Sequence, residues 1–184
     1  MQQYLAERIG KAKLLLVAEA IGYQGGHFSG IPMTSERLLL GGLKGKGILP
    51  EHAIAGITPQ RTSREEVRRD GFTEPTATIV WGFFADNAQD PRSFVLWNAF
   101  PWHPYKPAAG LLSNRTPSDE ELMDGHRVLH RMIELGSFTR IVAVGKKSAS
   151  QLATLGIAAC EVRHPANGGA GLFRRQMAEL LKGV

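Results

Sequence analysis

The sequence predicts a three-layer α/β/α domain built on a central, mostly parallel sheet of four strands. Three observations carry that prediction. Short, continuously apolar runs recur along the chain, amphipathic helical patterns separate them, and loop-forming residues follow each run. Strands covered on both faces read as unbroken apolar stretches, whereas strands with one wet face alternate.

The elements follow in chain order. Residues 13–18 (KLLLVA) form the first strand. Ile79, Val80, Phe83 and Phe84 lie at i, i+1, i+4 and i+5, which predicts one face of a helix. Residues 94–98 (FVLWN) form the next strand. Ser118 with Glu121 three residues on makes a capping box, and Leu122, Val128, Leu129, Met132, Ile133 and Leu135 then give an apolar face up to Gly136. Residues 139–145 (TRIVAVG) are a strand, 146–155 a helix, 157–162 a weaker strand and 172–181 a last helix. Residues 41–75 are rich in Gly, Pro and charge and read as an insert within a single domain spanning residues 1–184.

Composition narrows the function. Hydrophobic residues make up 43% and charged residues 21%, which excludes a disordered or collagen-like chain. No apolar run approaches the ~20 residues of a bilayer span, and the start MQQYLAERIG lacks a signal-peptide pattern, so a cytoplasmic protein with no membrane partner is expected; a monomer is also expected. The single cysteine, Cys160, excludes a disulfide framework and any cysteine-only zinc or iron–sulfur site, and is expected to be a small buried residue. Twenty-two Lys and Arg against 17 Asp and Glu give a net charge of +5, which favours a polyanionic partner. The basic clusters are Lys44 and Lys46, then Arg61, Arg64, Arg68 and Arg69, then Lys146 and Lys147, then Arg174 and Arg175.

In parallel α/β sheets the working residues lie in loops leaving the carboxyl ends of strands. Three loops qualify. The first runs from Ala18 through Glu19, Ala20, Ile21 and Gly22 to Gly30, Ile31, Pro32 and Met33. The second starts at Asn98 and runs to Pro104, continuing to Asn114-Arg115-Thr116-Pro117. The third is His164-Pro165-Ala166-Asn167-Gly168-Gly169.

Together these loops resemble the uracil-DNA glycosylase superfamily, in order from about Lys13 to about Leu181. The first is similar to its GEAPG motif followed by G-x-P-F. The second resembles its N-x-x-x-x-P loop with the NRTP segment of the iron–sulfur branch, and the third its terminal HPS loop. The chain departs from the family at several positions. The motif proline is Ile21, the aromatic of G-x-P-F is Met33, and the tyrosine of the GQDPYH branch falls on Gly22. Its catalytic Asp falls on Ala20, and Gly25 stands where the iron–sulfur branch often has a carboxylate. One cysteine leaves no iron–sulfur cluster, and no cofactor is implied.

The resemblance implies excision of uracil, and of other deaminated or 5-substituted bases, flipped out of DNA to leave an abasic site. Asn98 would pair with N3–H and O4 of uracil, a pattern reversed in cytosine. His164 would donate to the O2 on which negative charge develops. Glu19 is the candidate for orienting water or stabilising the sugar cation, with Asp86 or Glu36 next. Ala20 and Gly22 would offer backbone amides, and Phe28 or Met33 would stack on the base. Small residues at Ala20, Gly22 and Gly25 predict an open inner wall and a permissive pocket. Lys146, Lys147, Ser148 and Arg163 would hold phosphates at a helix start, with Leu172 as a wedge in the vacated stack. No lysine is placed as a Schiff-base nucleophile, so strand cleavage is not expected. A non-catalytic binder of single-stranded or damaged DNA on the same fold is the alternative.

Overall fold

The computed structural model describes residues 1–182. The elements run α1 (Gln2–Ala6), β1 (Leu14–Ala20), α2 (Gly26–Ser29), α3 (Glu36–Leu39), α4 (Pro50–Ala53), α5 (Pro75–Asp86), β2 (Phe94–Phe100), α6 (Asp119–Leu135), β3 (Arg140–Val144), α7 (Lys146–Thr154), β4 (Cys160–Val162) and α8 (Ala170–Leu181). Among the described residues the four strands form one sheet in the order β2-β1-β3-β4, parallel throughout. Helices cover it on both sides, as the apolar runs require.

β1 and β2 are the spine. Leu14 to Ala18 and Phe94 to Phe100 are buried without a break. Their register pairs Leu16 with Leu96 and Ala18 with Asn98. Both strands extend two residues beyond the apolar runs because Glu19 and Ala20 continue the pairing up to Phe100. α6 packs on β2, α7 on β1 and β3, and α8 on β4. The expected capping box opens α6, with Ser118 Oγ accepting from Glu121 N at 3.3 Å and Glu121 Oε2 accepting from Ser118 N at 2.8 Å. α5 carries Val80, Trp81, Phe83 and Phe84 into the core, where Phe84 stacks on Phe94 at 3.7 Å.

One expectation is corrected. Cys160 is exposed, because β4 is a three-residue edge strand whose first two residues lie outside the cover of α8. The 41–75 insert is partly packed on the core. Leu43, Ile48, Ala53, Ile54 and Phe72 are buried, and Arg61 donates to the backbone carbonyls of Arg68 and Arg69. Arg64, Arg68 and Arg69 stay exposed.

Glu36 holds the insert in place. Its carboxylate accepts from Thr62 N at 2.7 Å, Ser63 N at 2.8 Å, Ser63 Oγ at 2.5 Å and Phe72 N at 3.1 Å. Burial alone would raise its pKa, but these donors outweigh burial and hold it at about 2. Glu36 is therefore a clamp, and it takes no part in the site described below. Asp86, the other reserve carboxylate, ends α5 in solvent.

Glu36→Gln is expected to cost about 2 kcal/mol or more, because it strands buried donors. A depressed folded-state pKa contributes stability above the ordinary value of 4.5 that is lost as pH falls towards about 2. Urea melts across that range should fall more steeply with acid in wild type than in the variant. Parallel pH curves would refute the clamp.

Candidate active site

The carboxyl ends of the strands and the first motif loop enclose a cavity of about 160 Å³. Ala18, Glu19, Ala20, Ile21 and Gly22 line one side, Met33, Glu74 and Thr76 a second, and Pro104, Asn114, Arg115 and His164 the rest. The second loop is held rigidly. Asn114 Oδ1 accepts from Tyr23 N at 2.9 Å, and Arg115 forks onto Glu121 with two contacts of 2.6 Å. That fork, with help from Ser118 N, pulls the Glu121 carboxyl down to about 2.

Asn98 lies beside Ala18 in the parallel register, so both side chains leave the same face of the sheet. The residue is 1% exposed, yet neither Oδ1 nor Nδ2 has a hydrogen-bond partner among the described residues. A buried carboxamide with both ends unpaired costs about 1–3 kcal/mol per group, so it asks for a ligand with a donor beside an acceptor.

His164 is half-buried, and its Nδ1 accepts from Ala166 N at 3.1 Å. Desolvation lowers its pKa, Arg163 adds to that, and Glu19 opposes it. The ring is therefore neutral at pH 7, and with Nδ1 accepting, the proton sits on Nε2. Gly145, at φ +93°, makes the room: a Cβ there would come within 3.0 Å of His164 Cβ.

A second cavity of about 360 Å³ adjoins the first and shares Glu19 and His164 with it. Lys146, Lys147, Arg163 and Asn167 line it at the start of α7. The cavity thus meets one basic trough, and a carboxylate and a neutral histidine stand at the junction.

A family model for the uracil DNA glycosylase superfamily matches residues 9–176. The chain belongs to the uracil DNA glycosylase superfamily. Solved structures similar to it include the wild-type SMUG2 of Pedobacter heparinus, with a TM-score of 0.64 at 11% identity over 94% of this chain and 76% of that one. No curated protein sequence matches the chain.

Within this glycosylase-superfamily fold, the expected residues divide. Glu19, Ala20, Gly22, Met33 and His164 line the cavity; Asn98 does not, and lies buried on β2 level with the lining residue Ala18 of β1. Met33 reaches the wall on a left-handed backbone, φ +47°, and is 4% exposed. Phe28 does not line it: its ring stacks on Phe72 at 4.2 Å and faces a separate apolar pocket with Val67 and Leu112. Lys146, Lys147 and Arg163 line the trough, but Lys147 Nζ already contacts Glu19 Oε1 at 3.0 Å and Thr116 Oγ1 at 2.9 Å. The Ser148 hydroxyl is buried against Val17 O, leaving only its backbone for an anion. Leu172 is exposed on the first turn of α8.

The open inner wall expected from small residues is filled instead. A Cβ at Gly22 would lie 3.6 Å from Glu74 Oε1 and 3.9 Å from Asn114 Nδ2. Asn114 and Arg115 were legible as part of the NRTP segment. Glu74 was not, because a glutamate before Pro75 reads as an ordinary helix start.

Truncating an unpaired buried amide removes its desolvation penalty. Asn98→Ala is expected to leave the melting temperature unchanged or to raise it, since a penalty of about 1–3 kcal/mol offsets the small void. Thermal melts of the two proteins decide this, and a marked loss of stability would mean that the carboxamide is bonded inside the protein.

Proposed function

We propose that this chain is a monofunctional DNA glycosylase that hydrolyses the N-glycosidic bond of uracil flipped out of DNA. The observation that carries the proposal is the buried, unpartnered Asn98 carboxamide, set in register beside Ala18 of the cavity wall. Uracil offers N3–H beside O4, the complement of a carboxamide's acceptor and donor. Extruding the base costs a few kcal/mol of stacking and pairing, which binding in the pocket offsets.

Bond cleavage leaves negative charge on the base. The neutral His164 holds its proton on Nε2 and donates it in a hydrogen bond to the developing O2 anion, an interaction worth roughly 3–4 kcal/mol in comparable sites. A neutral donor suits this role, because an Nδ1 that already accepts from Ala166 N keeps the ring oriented without a change of charge. The DNA backbone enters along the basic trough, where Lys146, Arg163 and the first amides of α7 offer donors to phosphate. Lys147 serves both sides, neutralising Glu19 at the junction.

Single-turnover excision from an oligonucleotide with one uracil, read after alkali treatment, tests the reading. Wild type is expected to cut, and Asn98→Ala and His164→Ala to lose roughly 10²–10³-fold each while staying folded by circular dichroism. Folded variants at wild-type rate would overturn the assignments. Tight DNA binding with no excision by wild type would identify a non-catalytic binder.

A further inference from the structure

We propose that Glu74 is the general base of this site, taking the proton from the water that attacks the sugar. The inference rests on the glycosylase reading and extends it to a residue outside the three motif loops.

Glu74 stands at the N-cap position of α5, where a side-chain oxygen would normally accept from the first free N–H groups of the helix. It makes no such bond. The side chain turns into the 160 Å³ cavity instead, and Oε2 is fully buried without a hydrogen-bond partner among the described residues. Gly25 leaves the space for it: a Cβ at that position would overlap the Glu74 carboxylate. The main loop of the site therefore forgoes a side chain at 25, and a carboxylate from the end of the insert fills the gap.

The other carboxylate of the cavity is poorly suited to accept a proton. Glu19 Oε1 already accepts from the Lys147 ammonium at 3.0 Å. Glu74 has neither cation nor donor. The charged and titratable groups lining the cavity around it are Glu19 on β1, Arg115 after β2 and His164 after β4. Burial alone pushes the Glu74 carboxyl up to about 7, which keeps a working fraction ionised near neutral pH while raising its affinity for a proton.

The step balances. A water oxygen forms the new bond to C1′ and its proton passes to the Glu74 carboxylate. The C1′–N1 bond breaks with its electron pair on the base, whose O2 is held by His164 Nε2–H. The base anion takes a proton from solvent, and Glu74 releases its own to solvent.

Single-turnover excision from a uracil oligonucleotide between pH 5 and pH 9 tests this, alongside DNA affinity by fluorescence anisotropy. Wild-type rates should rise with pH to a plateau, with a midpoint near the carboxyl's value of about 7. Glu74→Gln should lose about 10²-fold or more, lose that rising limb, and bind DNA as wild type does. Gly25→Ala displaces the flexible end of Glu74 without removing it, and should also fall well below wild type while staying folded. Glu74→Gln within threefold of wild type, or with the limb retained, overturns the assignment and leaves the glycosylase reading intact. A wild type that excises nothing overturns both.

Discussion

The register that sets Ala18 beside Asn98 is the constraint from which the site is built. Side chains alternate along a strand with a period of two, so a slip of one residue between β1 and β2 would turn Asn98 to the face opposite Ala18. Strands buried on both faces do not fix register by polarity; contacts flanking the ladder at both ends hold it here, with Lys13 N donating to Ser93 O at 3.1 Å and Ile21 N to Trp102 O at 3.2 Å. With the register set, Glu19 and Ala20 carry β1 to its turn, and the Gly145 backbone makes room for His164. The sheet thus positions a polar group whose own hydrogen bonds it leaves open.

Three polar side chains around the cavity differ in environment more than in chemistry. Glu19 is paired with Lys147, Glu74 holds a buried, unpaired Oε2, and His164 is neutral with its proton directed by Ala166 N. On the proposed glycosylase reading, those environments suit them to electrostatic support, proton acceptance and donation to an anion respectively. Glu36 shows the opposite use of the same side chain. Five donor contacts hold it ionised and bind the insert to the body of the fold, which in turn fixes where Phe72 and the start of α5 lie.

Much of this was legible in the sequence, and the exceptions have physical reasons. Strands buried on both faces announce themselves by composition, and the Ser118 box fixes the start of α6 through two local bonds. Each motif segment sits at the end of a strand, and Glu19, Asn98 and His164 were named from the resemblance of those segments to the superfamily's motifs. Glu74 could not be, because its role depends on where a distant insert returns to the sheet. Phe28 found an aromatic partner in Phe72, a contact that no spacing rule reveals. Ser148 follows two lysines and suggests a phosphate ligand, yet its hydroxyl ties α7 to β1. Cys160 is apolar by type but sits on an edge, where burial depends on what covers the last strand.

The central claim is that Asn98 receives the flipped base, and its side-chain amide reports on that directly. The slow His164→Ala variant, bound to a single-stranded oligonucleotide with one uracil, keeps the base in the pocket during a nuclear magnetic resonance measurement. The Asn98 Nδ2 protons, unbonded in the free protein, should move strongly downfield relative to a complex with an abasic analogue. An unchanged Asn98 side-chain resonance in a saturated uracil complex would contradict the account.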